Sequence, residues 1–177
     1  GTNAELSDSP ADWISPNPEG GYRDDPPAAD GSKVVISDTD HLWGIGGSPS
    51  WVWKSFLRGL NPIYMDPYDD TADESIRVSL GHTLTLAERM DLAAMTPLGD
   101  LASTGYCLAD PGRAYLVYLP DGGTVTLDLS DATGALSAEW FNPATGETTA
   151  GDDVAGGGSA DLAAPFGGDA VLILVSG

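Results

Sequence analysis

Within residues 37–44, SDTDHLWG, two carboxylates and one of the chain's two histidines fall in four consecutive positions, as Asp38, Asp40 and His41. Carboxyl groups this close can share general acid and base work, and with the imidazole of His41 they could also hold a metal ion. Side chains two apart in an extended strand share a face. Asp38 and Asp40 are therefore expected to point one way, and Thr39 and His41 the other. The competing reading is purely structural: Asp38 or Asp40 accepts hydrogen bonds from loop amides, and His41 is a satisfied core histidine.

Other residues could meet a ligand. Trp43 follows the same stretch and could stack on a sugar ring, whereas Trp53 sits at helical spacing and reads as core. Tyr64 and Asp66, at and just past a second apolar run, and Trp140, far along the chain, complete the candidate contacts. Trp140 and Phe141 are neighbours in a strand-like run, so one is expected in the core and the other at least partly exposed. Asp66, Asp69, Asp70, Asp73 and Glu74 lack the order of a calcium-binding loop and read as a solvated acidic loop. Gly44-Ile45-Gly46-Gly47 lacks the rest of a phosphate-binding fingerprint and any nearby basic residue. No Ser-His-Asp or Cys-His arrangement is readable, and no cofactor is assigned.

These residues need elements to hold them. Val34-Val35-Ile36 is a short continuous apolar run, the pattern of a parallel strand covered on both faces. Ser48 as N-cap and Pro49 at the first position predict a helix carrying Trp53, Phe56, Leu57 and Leu60, ended by Asn61-Pro62. Ile63-Tyr64-Met65 reads as a second strand closed by Asp66-Pro67. A second helix is expected from Thr85, where Thr85 and Glu88 have capping-box spacing and Leu86, Met90 and Ala93 share a face, to a stop before Pro97. The order strand, helix, strand, helix requires a parallel sheet with right-handed crossovers. Upstream, residues 11–30 are rich in Pro and Gly and read as a loop that packs through Trp13, Ile14 and Tyr22.

From Leu98 the pattern changes to short β segments separated by turns, with expected strands at 101–108, 114–119, 124–129, 136–141 and 170–175. Residues 124–129 alternate polar and apolar, as a strand with one wet face does. Residues 151–159, GDDVAGGGS, read as a flexible surface loop. The expected fold is thus α+β, with a β/α segment over 1–97 and an antiparallel β-sandwich over 98–177. Such a short β/α segment cannot close a barrel and exposes apolar faces and edges. It is therefore expected to dock on its own sandwich, to form a homo-oligomer, or to pair with a missing barrel portion.

Composition restricts the partners. Acidic residues number 27 against 7 basic ones, a formal charge of −20. Such a surface repels phosphate backbones and anionic lipid, so neither nucleic acid nor a membrane surface is expected as a partner. No apolar run approaches the roughly 18 residues of a membrane span. The first residues, GTNAELSDSPADW, have neither a basic nor an apolar signal region. Cys107 is the only cysteine, which excludes an internal disulfide framework and a CxxC site. Between Tyr106 and Leu108 in an expected strand, it reads as a buried, inert thiol.

The stretches VVISDTDHLWGIGG, WVWKSFLRGLNPIYMDPYD, TLAERMDLAAM, GDLASTGYCLADPGRAYLVYLP and AEWFNPATGE together resemble the C-terminal end of apiosidase-like glycoside hydrolases. Those proteins have a (β/α)8 barrel followed by a β-sandwich labelled as the putative collagen-binding domain of a collagenase. The resemblance runs from about Ala11 to the end, with DTDHLWG and WFNPATGE its most specific parts. It implies that the first half is the last two units of such a barrel, with six units missing, and that the second half is the appended sandwich. It also implies an extracellular or periplasmic protein whose partner is carbohydrate or, by the label, collagen. Enzymes of this type use an acid/base at the end of the fourth strand and a nucleophile at the end of the seventh, about 5 Å apart when retaining. Val34–Ser37 would match the seventh strand and bring Asp38 or Asp40 near the nucleophile's place, in DTDH rather than around the family's usual glutamate. With the acid/base strand absent, the resemblance implies a segment that is not catalytic alone.

Overall fold

The computed structural model describes residues 1–65 and 73–177. The chain divides into two compact units, Gly1–Leu86 and Ala87–Gly177.

The first unit is built on a three-stranded parallel sheet in the order β1 (Trp13–Ile14), β2 (Val34–Asp38), β3 (Asn61–Ile63). It begins with a short helix, α1 (Asn3–Asp8), whose N-terminus is closed by a capping box between Thr2 and Glu5. The parallel arrangement is as expected, but it has three strands rather than two. Trp13-Ile14 pairs with Val34-Val35 inside the stretch read as loop. Ile14 is buried while Trp13 is 59 % exposed, so only one of the two packs as expected.

β2 is not covered on both faces. Val35 and Ser37 are buried, whereas Val34 is 53 % exposed and Ile36 is half-buried. α2 (Thr39–Trp43) follows directly, then α3 (Pro49–Leu57), which starts at the expected Ser48 cap: the Trp51 N–H donates to Ser48 Oγ over 3.1 Å. Trp53, Leu57 and Leu60 are buried, as the helical stripe predicts. The helix stops at Leu57, before Asn61-Pro62, because the chain reverses at Gly59, whose φ of 73° favours glycine. Asn61-Pro62 instead opens β3, two residues ahead of the expected strand.

α4 spans Glu74–Arg89, not a segment beginning at Thr85. Its start is fixed by Asp73, whose Oδ1 accepts from Ser75 N at 2.9 Å and Ser75 Oγ at 2.6 Å. These bonds hold the Asp73 carboxyl below its ordinary range, the Ser75 hydroxyl being the larger cause. Thr85 is no cap, since its hydroxyl donates back to the Gly81 carbonyl one turn earlier. The helix ends at Arg89, so Met90 and Ala93 lie beyond it.

The second unit is antiparallel. Its larger sheet runs β10 (Val154–Ala155), β8 (Ala135–Phe141), β12 (Ala170–Ser176), β6 (Ala114–Leu119), β5 (Cys107–Asp110), β4 (Thr96–Pro97), with β9 (Thr148–Ala150) also on β8. β7 (Thr124–Asp128) pairs with β11 (Ser159–Ala163) as a second sheet. Val125 and Leu127 of β7 join Tyr115, Val117, Leu136, Trp140, Leu172 and Leu174 in one buried cluster, so both sheets contribute to a single core. Thr124–Asp128 alternates wet and buried positions as expected.

Three expectations change here. The strand expected over 101–108 begins only at Cys107, because Gly99–Leu101 forms a 3-10 turn. Thr96-Pro97, placed before the sandwich in the sequence reading, pairs with Leu108-Ala109. The glycine-rich stretch 151–159 is not all loop: Val154-Ala155 pairs with Ala135-Leu136, and Val154 is buried.

Candidate functional site

The expected site gathers at the carboxyl ends of β1, β2 and β3, but not with the expected geometry. The strand ends at Asp38 and helix α2 begins at once, so the alternation of a strand does not continue through Asp40 and His41. Asp38 is the helix N-cap, its Oδ1 accepting the Asp40 N–H at 2.9 Å. Its carboxylate is therefore committed to a backbone amide. Asp40 lies on the exposed first turn, where a negative charge favours the helix N-terminus.

His41 is exposed rather than in the core, and its Nδ1 lies 2.8 Å from Ser15 Oγ. Ser15 immediately follows β1, so this contact links the ends of two neighbouring strands. Ser15 has no signal in the sequence, because 26 positions separate it from its partner. Among the described residues no group of three His, Cys, Asp or Glu side chains could hold a metal, so the metal alternative for Asp38, Asp40 and His41 finds no geometric support.

The half-buried Trp43 ring meets Trp51 edge-on, with centroids 5.3 Å apart and planes at 88°. The Trp51 indole N–H donates to the Tyr22 carbonyl at 3.1 Å. Trp43 and Tyr64 both pack on the cluster of Leu42, Trp51, Val52 and Ile76, and the Tyr64 hydroxyl accepts the Asp73 N–H at 3.0 Å. The GIGG loop closes over these residues. A methyl group at Gly46 would stand 3.1 Å from the Trp43 side chain, and one at Gly47 would stand 3.2 Å from Thr39 Cγ2. Buried Thr39 ties the end of β2 to the chain after β3, its Oγ1 accepting the Met65 N–H at 2.8 Å. Asp66 lies outside the described residues, as do Asp69 and Asp70.

Trp140 belongs to the second unit. It is 5 % exposed and Phe141 is 2 % exposed, so both are buried and the expected division between them does not occur. Cys107 is buried at the start of β5, and burial pushes its thiol up to about 12.

Residues 100–175 match the family described as "Putative collagen-binding domain of a collagenase". No curated protein matches the chain. Among solved structures, the chain is similar to one titled "Glycoside hydrolase", at 16 % identity and a TM-score of 0.61 over 81 % of this chain and 42 % of that one. It is also similar to a glycoside hydrolase family 5 structure from Bacteroides vulgatus ATCC 8482, at 14 % identity and a TM-score of 0.65 over 84 % of this chain and 42 % of that one. The chain spans about four-tenths of the length of these structures. Likeness at such identity establishes a shared fold: mixed helix and sheet, with antiparallel sheets in the part that carries the collagen-binding match.

Proposed function

We propose that this chain is the C-terminal segment of a glycoside-hydrolase-like protein, in which a β/α portion completes a barrel and an antiparallel accessory domain follows it. The observation that carries the proposal is the three-stranded parallel sheet β1-β2-β3, with α3 between its second and third strands, in a chain that aligns with 42 % of glycoside hydrolase structures. On this reading β2 corresponds to the seventh barrel strand, and Asp38, Asp40 and His41 stand on the face where such enzymes work. The segment is not catalytic alone. Asp38 is occupied as a cap, and on this reading the second carboxyl that glycoside cleavage requires belongs to a barrel strand other than β1, β2 and β3.

The test is hydrolysis of aryl glycosides by this chain beside its Asp38→Ala and Asp40→Ala variants. No turnover by any of the three is expected. Turnover by the parent chain that either substitution abolishes would overturn the reading in favour of a complete hydrolase using Asp38 or Asp40.

The match over residues 100–175 favours a second role within the same protein, a glycan- or collagen-binding module outside the cell. A glycan array and a collagen pull-down with the whole chain test it, and retention on either supports the module. Because Trp140 is buried, loss of binding in Trp140→Ala would report a damaged core, and exposed side chains are the informative ones to vary. Silence on both leaves the second unit a structural accessory.

A further inference from the structure

His41 gives one ring nitrogen to the protein and keeps the other for whatever lies outside it. Nδ1 lies 2.8 Å from Ser15 Oγ, and the residue is otherwise exposed. Among the described residues neither Nε2 nor the Ser15 hydroxyl has any other hydrogen-bond partner.

The two partners are held by separate elements. Ser15 directly follows β1 and precedes the buried Pro16, and a residue before proline is confined to extended backbone. His41 lies in α2, whose next residue, Leu42, is locked into the cluster with Trp51, Val52 and Ile76. Parallel pairing of Trp13 with Val34 and Ile14 with Val35 sets β1 against β2, so hydroxyl and imidazole meet in a fixed register.

A serine hydroxyl has one proton to give, and a neutral imidazole has one N–H and one bare nitrogen. With no other acceptor for it among the described residues, the hydroxyl proton goes to Nδ1, and the ring's own proton then sits on Nε2. When the ring takes a second proton, the hydroxyl turns and accepts from Nδ1, so the ring keeps its orientation. Asp40, the preceding residue, carries an exposed carboxylate that only accepts. A donor and an acceptor side by side match a ligand hydroxyl, which needs one of each.

We propose that Ser15 is a positioning residue: it holds His41 as the Nε2–H tautomer, and this N–H donates to a hydroxyl oxygen of a sugar at the carboxyl ends of β1 and β2. The sugar as ligand class rests on the reading of the chain as part of a glycoside-hydrolase-like protein.

Nitrogen-15 NMR of the histidine rings in this chain reads the tautomer, and His41→Gln separates its signals from those of His82, the other histidine. In a mildly alkaline buffer, where imidazole is neutral, Nδ1 of His41 is expected at the shift of a bare nitrogen and Nε2 at that of a protonated one. Ser15→Ala should draw the two shifts together while melting within about 2 °C of the parent chain. Ser15→Thr, which keeps a hydroxyl, should keep the parent's pattern. Titration with the methyl glycosides of glucose, galactose, mannose and xylose should shift the Nε2 signal saturably for at least one of them, with about five-fold weaker binding in Ser15→Ala. A proton on Nδ1, an even mixture of tautomers in the parent, or a pattern that Ser15→Ala does not move would overturn the inference. So would a His41 signal indifferent to all four sugars, which leaves the proposed function standing. Aryl glycoside turnover that Asp38→Ala or Asp40→Ala abolishes would instead remove the proposed function, whichever tautomer His41 shows.

Discussion

The two units solve the problem of burying a sheet in opposite ways. In the second unit the central strands β6 and β12 are sealed, with Val117 paired with Leu172, Tyr118 with Val171 and Leu119 with Ala170, all at 0 % exposure. Antiparallel strands joined by short turns reach one another locally, and a second small sheet covers the face that carries Tyr115, Val117, Leu172 and Leu174. In the first unit the parallel strands have two, five and three residues, and helices can cover only one of their faces. A parallel sheet completes its burial only when enough neighbours are present to close it. The second unit is therefore expected to carry most of the stability.

The largest effect that tests this contrast is truncation of a tryptophan in each unit. Trp140→Ala opens a cavity among Leu136, Leu172 and Leu174, and its expected cost is about 3–5 kcal/mol. Trp13→Ala removes a ring that is already mostly in water, so its expected cost is a few tenths, about 0.5 kcal/mol at most. Urea unfolding followed by near-UV circular dichroism measures both. Equal losses would break the contrast and imply that Trp13 is covered in solution.

Alkali should also act on the second unit, through groups buried in its core. The Cys107 thiol ionises near 9.0 in the unfolded chain and at about 12 when buried. The folded state therefore keeps the proton that the unfolded state loses. Stability is intact below about pH 9 and falls as the pH rises toward about 12. The Tyr115 hydroxyl is raised by burial and adds a loss of the same sign. Melting temperatures across that range should fall steeply for the parent chain and less steeply for Cys107→Ala. An unchanged slope in the variant would show that the thiol is not buried in solution.

The same contrast governs what the amino-acid sequence makes legible. Strands β6, β7, β8 and β12 are readable because alternation or a dense apolar run meets Gly-rich turns at both ends. β9 and β10 are not, since Thr148-Thr149-Ala150 is exposed throughout and Val154-Ala155 is embedded in glycines. In the first unit, α4 buries Ile76, Ser79, Thr83 and Leu86, and two hydroxyl-bearing residues in its inward stripe hide the helical period. β1 is two residues long and owes its existence to pairing with β2. The Asp/His cluster was legible as a cluster, but its geometry was not. A carboxylate ending a strand and one capping a helix look alike until the start of α2 is known. The Ser15–His41 contact depends on the packing of two strand ends and leaves no local trace.

The smallest expected effect lies at that cluster and separates capping from chemistry. Asp38→Ala removes the acceptor for the Asp40 N–H and should destabilise the first unit by about 1 kcal/mol. Asp38→Asn keeps an acceptor of nearly equal capping quality and should be close to neutral. Ser15→Ala deletes a partly exposed hydrogen bond to His41 and should cost about 0.5 kcal/mol. If Asp38 serves only the helix, the Asn variant should behave as the parent does in every assay, including any glycosidase activity of the longer protein. If Asp38 acts on substrate there, the Asn variant should retain the parent's stability and lose turnover, because an amide can cap a helix but can neither attack a sugar nor accept its proton.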